Sequence, residues 1–306
     1  MVNEPGYVTD VITDESLRQL QKYVDRGYPF YLSVHYTAPH APWINQHPQN
    51  LLDSYDNCPF ESCPQEPRHP WMLEHRIAPQ SYEALGNRKA LKGYFASVTA
   101  LDQGVGRILD RIDELGLRQS TLIMFLSDNG FSCGHHGFWG KGNATNPRNM
   151  YENSIRMPAI FSHLDRIPQG RVEDVMISAY DFMPTLLEYL DLPVPVDRNL
   201  PGRSFLPILE GKPFEDRDNI VIYDEYGPVR MVRTRQWKYI YRHAHGPHEL
   251  FGLANDPDER QNISQQPDQQ DQIDELHRLM DEWFAQYVDP VKDGLRQGVT
   301  AYGQIR

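Results

Sequence analysis

The chain has 306 residues, with 30 Lys+Arg against 42 Asp+Glu, a formal net charge of −12 and 40% hydrophobic content. That charge excludes a general polyanion-binding role, nucleic acid included, while leaving room for one small anion in a locally positive pocket. The length suits one large domain or a large domain with a small appendage; no run of about 18 apolar residues spans a membrane.

The start, Met1-Val2-Asn3-Glu4-Pro5, has neither the basic residues nor the apolar core of a signal peptide, so the sequence assigns no compartment. A helix is predicted over Asp14 to Asp25, with Leu17, Leu20 and Val24 as its stripe and Gly27 ending it. Pro29 to Tyr36, rich in β-formers, is predicted as a strand. It runs into Thr37-Ala38-Pro39-His40-Ala41-Pro42-Trp43, where two prolines stiffen the loop around His40. Asn45 to Gln80 is Pro-rich without a period and reads as a long irregular insertion, with Trp71, Met72 and Leu73 packing on something. Arg88 to Leu115 is the longest predicted helix; Gly104 and Gly106 within it allow close packing, and Gly116 reads as its C-cap.

Leu122 to Leu126 is a continuous apolar run, read as a strand buried on both faces in a parallel sheet, with the preceding helix as its crossover. It leaves into Ser127-Asp128-Asn129-Gly130, and then Gly134-His135-His136-Gly137-Phe138-Trp139-Gly140-Lys141. Met157 to Ser162 is a further strand, and Ser178 to Leu190 a helix opened by a Ser178/Asp181 capping pattern. Ile220 to Tyr226, Val229 to Thr234 and Trp237 to Tyr241 form an antiparallel meander, and Asp268 to Tyr287 a surface helix. The residues after Asp289 carry no assignment.

Asp128 and Asn129 offer the oxygen donors that a hard cation takes. In open α/β sheets ligands sit beyond the carboxyl ends of strands, and Lys141 lies only thirteen positions on. A cation site beside a cationic side chain suits phosphate or sulfate. Asp102 reads as a helix-packing carboxylate, and His243, His245 and His248 as a solvated loop rather than a metal cluster, since no acidic or Cys partner has ligand spacing. Cys58, Cys63 and Cys133 give no disulfide framework and no zinc signature. A Cys58–Cys63 pairing stays open, with free thiols the favoured state; Cys133 reads as a buried or free thiol.

Several of these runs resemble the sulfatase family. The segment Phe30 to Pro42 resembles a sulfatase strand ending in a Pro-His-x-Pro turn, and Ser127-Asp128-Asn129-Gly130 the family's metal motif. Trp139-Gly140-Lys141-Gly142, Asn149-Met150-Tyr151-Glu152 and Ile155-Arg156-Met157-Pro158 are similar to its Gly-Lys…Tyr-Glu…Arg-x-Pro run. Val232-Arg233-Thr234, Lys238-Tyr239, Glu249-Leu250-Phe251 and Asp256-Pro257-Asp258-Glu259 resemble its C-terminal segment. The order of these motifs is more specific than any one of them.

The resemblance implies an alkaline phosphatase-like α/β fold: a mixed, mostly parallel sheet flanked by helices over 1–215, with a small antiparallel-sheet and helix subdomain over 216–306. It implies hydrolysis of a sulfuric ester on a sulfated small molecule or carbohydrate. Asp128 and Asn129 would be ligands to Ca²⁺, with Mg²⁺ as the alternative. Lys141 would bridge sulfate and nucleophile, His40 would bind sulfate and assist the leaving oxygen, and His136 would face the substrate. The family's nucleophile is a formylglycine made within Cys/Ser-x-Pro-x-Arg. That motif is not encoded here: Cys58-Pro59-Phe60 and Cys63-Pro64-Gln65 put proline directly after cysteine. The resemblance therefore implies a chain that begins inside a sulfatase, truncated and inactive alone. Three alternatives stay open: a phosphatase or phosphonate hydrolase of the same superfamily, a non-catalytic remnant, and one chain of an assembly with an N-terminal sulfatase fragment or with its own copies. Asn129 favours sulfate among the hydrolases, because the phosphate relatives often carry Asp-His there.

Overall fold

The computed structural model describes residues 5–195, 199–224 and 227–296. The chain divides into two compact units, Met1–Thr121 with Ser132–Gly140, and Leu122–Phe131 with Lys141–Arg306.

In the first unit, helix α1 (Val8–Arg26) starts earlier than its aliphatic stripe predicts. Its buried face is Thr9, Thr13, Ser16 and Leu20. The hydroxyls stay satisfied inside the helix, Thr13 Oγ1 donating to Thr9 O at 2.8 Å and Ser16 Oγ to Ile12 O at 2.7 Å. Small polar residues thus extend an apolar face that hydropathy alone cuts short. Gly27 ends the helix with φ 69°, as predicted.

Residues 29–36 carry no helix, strand or turn, and their exposure alternates: Phe30, Leu32, Val34 and Tyr36 are half-buried while Tyr31, Ser33 and His35 are exposed. No ladder among the described residues takes them up. The predicted strand therefore keeps its period of two without strand pairing. Propensity sets an extended backbone, but a strand also needs a neighbour's N–H and C=O groups.

Within the insertion, α2 (Gln49–Asp53) and α3 (Pro79–Ala84) are short helices. Phe60 and Met72 are buried, and Leu51 packs with Ala96 and Ala100 of α4 (Arg88–Glu114). The buried face of α4 is mostly small residues, Ala90, Gly93, Ala96, Ser97, Ala100 and Gly104. A Cβ on Gly93 would stand 1.8 Å from Trp43 O, and one on Gly104 2.5 Å from Thr13 Oγ1. Gly104 thus has the packing role expected of it, whereas nothing lies within 4 Å of a Cβ on Gly106. Two residues of β2 (Ser132–Cys133) pair antiparallel with β3 (Trp139–Gly140), placing Cys133 opposite Trp139.

In the second unit, β1 (Ile123–Leu126) pairs antiparallel with β4 (Ala159–Ser162), Ile123 opposite Ser162 and Leu126 opposite Ala159. This corrects the expectation of a doubly buried parallel strand. Every ladder among the described residues is antiparallel. Residues 29–36 join no ladder among the described residues, and Leu126 and Ile160 stay 36% and 59% exposed.

A 3₁₀ turn carries the Ser178/Asp181 capping box into α6 (Phe182–Tyr189), and α7 (Leu206–Leu209) follows. The meander is as expected, with one strand more: β5 (Ile220–Tyr223), β6 (Val229–Arg233), β7 (Trp237–Arg242) and β8 (Glu249–Gly252), in that order. Residues 225–226 of the first predicted meander strand lie outside the described residues. Val221, Val232, Tyr239 and Leu250 pack with Leu276, Met280 and Phe284 of α8 (Gln270–Tyr287), the predicted surface helix.

Candidate active site

The Ser127–Gly130 turn directly follows β1 and is pinned at its end. Gly130 N donates to Ser154 O at 3.0 Å, and a Cβ on Gly130 would meet Asn153 O at 2.2 Å and Arg156 O at 2.6 Å. Only glycine lets this turn lie against α5 (Glu152–Ile155). Ser127 Oγ donates to Asn129 O at 2.9 Å, bracing the turn from inside. The Asp128 carboxylate points out, 84% exposed, with Lys141 Nζ 3.9 Å from its Oδ2. At that distance and exposure the pair is worth about 1 kcal/mol or less. Asp128 is therefore held in place by its backbone rather than by a strong partner.

Lys141 is fixed by the same short helix. Buried Asn149 donates through Nδ2 to Lys141 O at 3.2 Å and to Thr145 Oγ1 at 2.9 Å. Its Oδ1 accepts from Ser154 Oγ at 2.6 Å. A continuous chain of contacts thus runs from Gly130 through Ser154 and Asn149 to Lys141. Asn149 and Ser154 position both halves of the Asp128–Lys141 pair. Sequence reasoning assigned them no role, although Asn149 opens the Asn-Met-Tyr-Glu run.

Other motif residues anchor α5 to the sheet. Lys238, fully buried, pairs with Glu152 Oε1 at 3.0 Å and Glu259 Oε1 at 2.6 Å; Arg233 Nε pairs with Glu152 at 3.1 Å. Burial works to raise both carboxyls. At Glu152 two cations outweigh it and hold the group below the usual range, while Glu259, facing Lys238, stays above it. Arg242 pairs with Glu249 at 2.6 Å, and the Tyr151 hydroxyl donates to Glu249 at 2.9 Å. Burial first, then the Glu249 carboxylate, push the Tyr151 phenol well up. These residues are structural, and they hold the segment that positions Lys141.

His40 and His136 belong to the first unit. His40 is exposed on its Pro-bracketed turn, its N donating to Thr37 O at 2.9 Å and its Nδ1 lying 3.2 Å from Ala41 O. Trp43, buried, anchors the turn by donating to Pro39 O at 2.8 Å. His136 is half-buried with φ 56°, its N donating to Glu66 Oε2 at 3.0 Å and its ring stacked near Phe138. A backbone there in the left-handed region costs on the order of 1–3 kcal/mol and persists where surroundings impose it. His135 Nε2 lies 2.9 Å from Ser62 O. Among the described residues no group of three or more His, Cys, Asp or Glu side chains is arranged to hold a metal.

A family model described as Sulfatase matches residues 2–192, and one described as N-sulphoglucosamine sulphohydrolase, C-terminal, matches residues 134–286. The chain belongs to the sulfatase family, within the alkaline phosphatase superfamily. An N-acetylglucosamine-6-O-sulfatase of Bacteroides thetaiotaomicron is 27% identical, over 94% of this chain and 63% of the relative. An arylsulfatase of Clostridium perfringens is 26% identical, over 89% of this chain and 56% of the relative. The chain thus spans roughly half to two thirds of the length of such relatives. A structure solved in complex with its substrate D-glucosamine-2-N,6-O-disulfate superposes with a TM-score of 0.75 at 25% identity, over 95% of this chain and 72% of that one. A phosphonate monoester hydrolase of Silicibacter pomeroyi shares the fold at 21% identity and a TM-score of 0.74, over 92% of this chain and 60% of that one.

Proposed function

We propose that this chain supplies the cation- and anion-handling part of a sulfuric ester hydrolase acting on a sulfated sugar. The observation that carries this reading is the Asp128 carboxylate held 3.9 Å from the Lys141 ammonium, both pinned through α5. Relatives whose names specify a sulfated glucosamine support the substrate class.

Asp128 and Asn129 fit two oxygen positions of the roughly six to eight that Ca²⁺ takes; Mg²⁺ would demand a stricter octahedral set. The remaining ligands come from other groups. When bound, the ion would polarise the sulfate and offset its charge. Lys141 attracts the same anion and relieves its own proximity to the cation by doing so. His40, exposed and with Nδ1 turned to a carbonyl, offers Nε2 for proton exchange with the leaving oxygen. His136 takes a substrate-facing role in this reading.

The 306 residues hold no Cys/Ser-x-Pro-x-Arg run, so this reading assigns the nucleophile to no residue among them.

The reading is tested by titrating the chain, with Ca²⁺ present, against glucosamine-6-sulfate, glucosamine-6-phosphate and glucosamine. The sulfated sugar should bind best, and Lys141→Ala should weaken it at least tenfold, equivalent to about 1.4 kcal/mol. Preference for the phosphate would favour the phosphatase reading. Equal binding of glucosamine, or no loss in Lys141→Ala, would overturn the site.

A further inference from the structure

Cys63 and Cys133 are distant in sequence, but the first unit brings them together. Gln65 Nε2 donates both to Cys63 O at 2.8 Å and to Cys133 O at 2.7 Å, clamping the two backbones. Glu66 N donates to Gly134 O at 3.3 Å and His69 N to Gly137 O at 2.8 Å, so the Pro-rich segment runs along the whole turn after β2. The two thiols act on each other electrostatically, the Cys63 group being lowered and the Cys133 group raised by their interaction. Both cysteines are free thiols, Cys133 buried and Cys63 half-buried. Ser62 Oγ lies 3.9 Å from the Cys63 sulfur, and the Gln65 bridge joins Cys63 to Cys133 rather than to Cys58.

We propose that Cys63 and Cys133 are a redox pair that closes to an intramolecular disulfide, fastening the Pro-rich segment to the His135–His136 turn. The chemistry divides between the two sulfurs by exposure. Cys63 is the accessible one, and the interaction with Cys133 lowers its thiol to about 7, so a substantial thiolate fraction exists at neutral pH. Cys133 is held protonated, first by the interaction with Cys63 and then by burial. A small disulfide oxidant, RS–SR, is attacked by the Cys63 thiolate: the Cys63–SR bond forms and RS⁻ leaves. Cys133 then loses its proton to RS⁻ or solvent and attacks the Cys63 sulfur, expelling the second RS⁻. Two protein thiols and one RS–SR become one protein disulfide and two RSH.

The pair bears on the neighbouring histidines. His135 touches Ser62 O and His136 N touches Glu66, so both are held by the segment that the disulfide would fix. Only this consequence for His136 rests on the proposed sulfate site; the cross-link itself does not.

The whole chain is incubated with glutathione disulfide at pH 7.5, and thiols are counted after unfolding. Wild type should fall from three thiols to one, with a non-reduced tryptic cross-link between the peptides holding Cys63 and Cys133. Cys58→Ser should form the same cross-link, whereas Cys63→Ser and Cys133→Ser should not. A cross-link that survives Cys63→Ser, or a stable mixed disulfide on Cys63 without closure, would overturn the proposal. Iodoacetamide labelling of Cys63 gives a second reading that does not require closure. Its rate should have a midpoint near pH 7 in Cys58→Ser. In Cys58→Ser/Cys133→Ser it should move toward the ordinary thiol range of about 8.5. Identical profiles would refute the interaction of the two thiols.

Discussion

Replacing Lys238 by Met tests the anchoring of α5. The ammonium is fully buried between Glu152 and Glu259, at 3.0 and 2.6 Å. Methionine conserves most of the side-chain volume, so packing loss is small and the cost is electrostatic. Without Lys238, Arg233 remains for Glu152, while among the described residues Glu259 keeps the Glu152 N–H at 2.6 Å as its carboxylate partner. Removing one partner from a buried ion pair costs about 3–5 kcal/mol, a large share of a total stability of about 5–15 kcal/mol. With a guanidinium m-value of about 4 kcal/mol/M, the unfolding midpoint at pH 7 should fall by about 1 M. The pH dependence carries its own sign. Glu152 is depressed in the folded state, so its contribution is present above its unfolded value and is lost as pH falls through the folded one. Glu259 is raised, so its contribution is present below its unfolded value and lost as pH rises through the folded one. In Lys238→Met the stranded carboxylates protonate more readily, so the gap to wild type should shrink from pH 7 to pH 4. Equilibrium unfolding followed by circular dichroism and tryptophan emission measures both. A loss below about 1 kcal/mol at pH 7, or a gap that does not shrink in acid, would refute the reasoning.

Asn149→Ala removes the amide that links Lys141 O, Thr145 and Ser154. It should cost about 1–3 kcal/mol in unfolding free energy, and weaken sulfated-sugar binding without touching the ligand. Gly93→Ala and Gly106→Ala form a contrast in one helix, read by thermal midpoint. The first drives a Cβ to 1.8 Å from Trp43 O and should lose at least about 1–3 kcal/mol. The second meets nothing within 4 Å and should be neutral or gain up to about 1 kcal/mol. The 306-residue chain on its own should not turn over an aryl sulfate by the formylglycine route, and a continuous 4-nitrophenyl sulfate assay on purified chain checks this.

Local chemistry was the most legible part of the sequence. The helices α4 and α8, the Gly27 cap, the Ser178/Asp181 capping box and the meander follow from spacing and turn residues. Pairing partners were less legible. The run Leu122–Leu126 is apolar enough for a doubly buried strand, yet β1 pairs antiparallel with β4 and Leu126 stays partly exposed. Burial belongs to the neighbours a strand finds, which its own residues do not encode. Residues 29–36 show the same gap: their exposure alternates with a strand's period, yet no ladder among the described residues takes them up. At the site, the Asp128 turn and Lys141 were readable because metal-ligand and cationic residues stand out by type. The residues that hold them, Asn149 and Ser154, look like ordinary loop and helix residues until their contacts are known. The ion pairs of Lys238 with Glu152 and Glu259 were visible only as motif members, since separations of 86 and 21 positions carry no local signal.

The measurement that bears most directly on the Asp128–Lys141 site is a Ca²⁺ titration of the chain by calorimetry, with and without inorganic sulfate. Two protein oxygens imply weak binding alone, with a Kd on the order of 10⁻⁴–10⁻³ M or weaker. Lys141 repels the cation and attracts the anion, so sulfate should tighten Ca²⁺ binding, and Ca²⁺ should tighten sulfate binding by the same factor. Asp128→Ala should abolish the Ca²⁺ heat, and Lys141→Ala should remove the coupling. Ca²⁺ binding that is unchanged in Asp128→Ala, or indifferent to sulfate in the wild-type chain, would contradict the site.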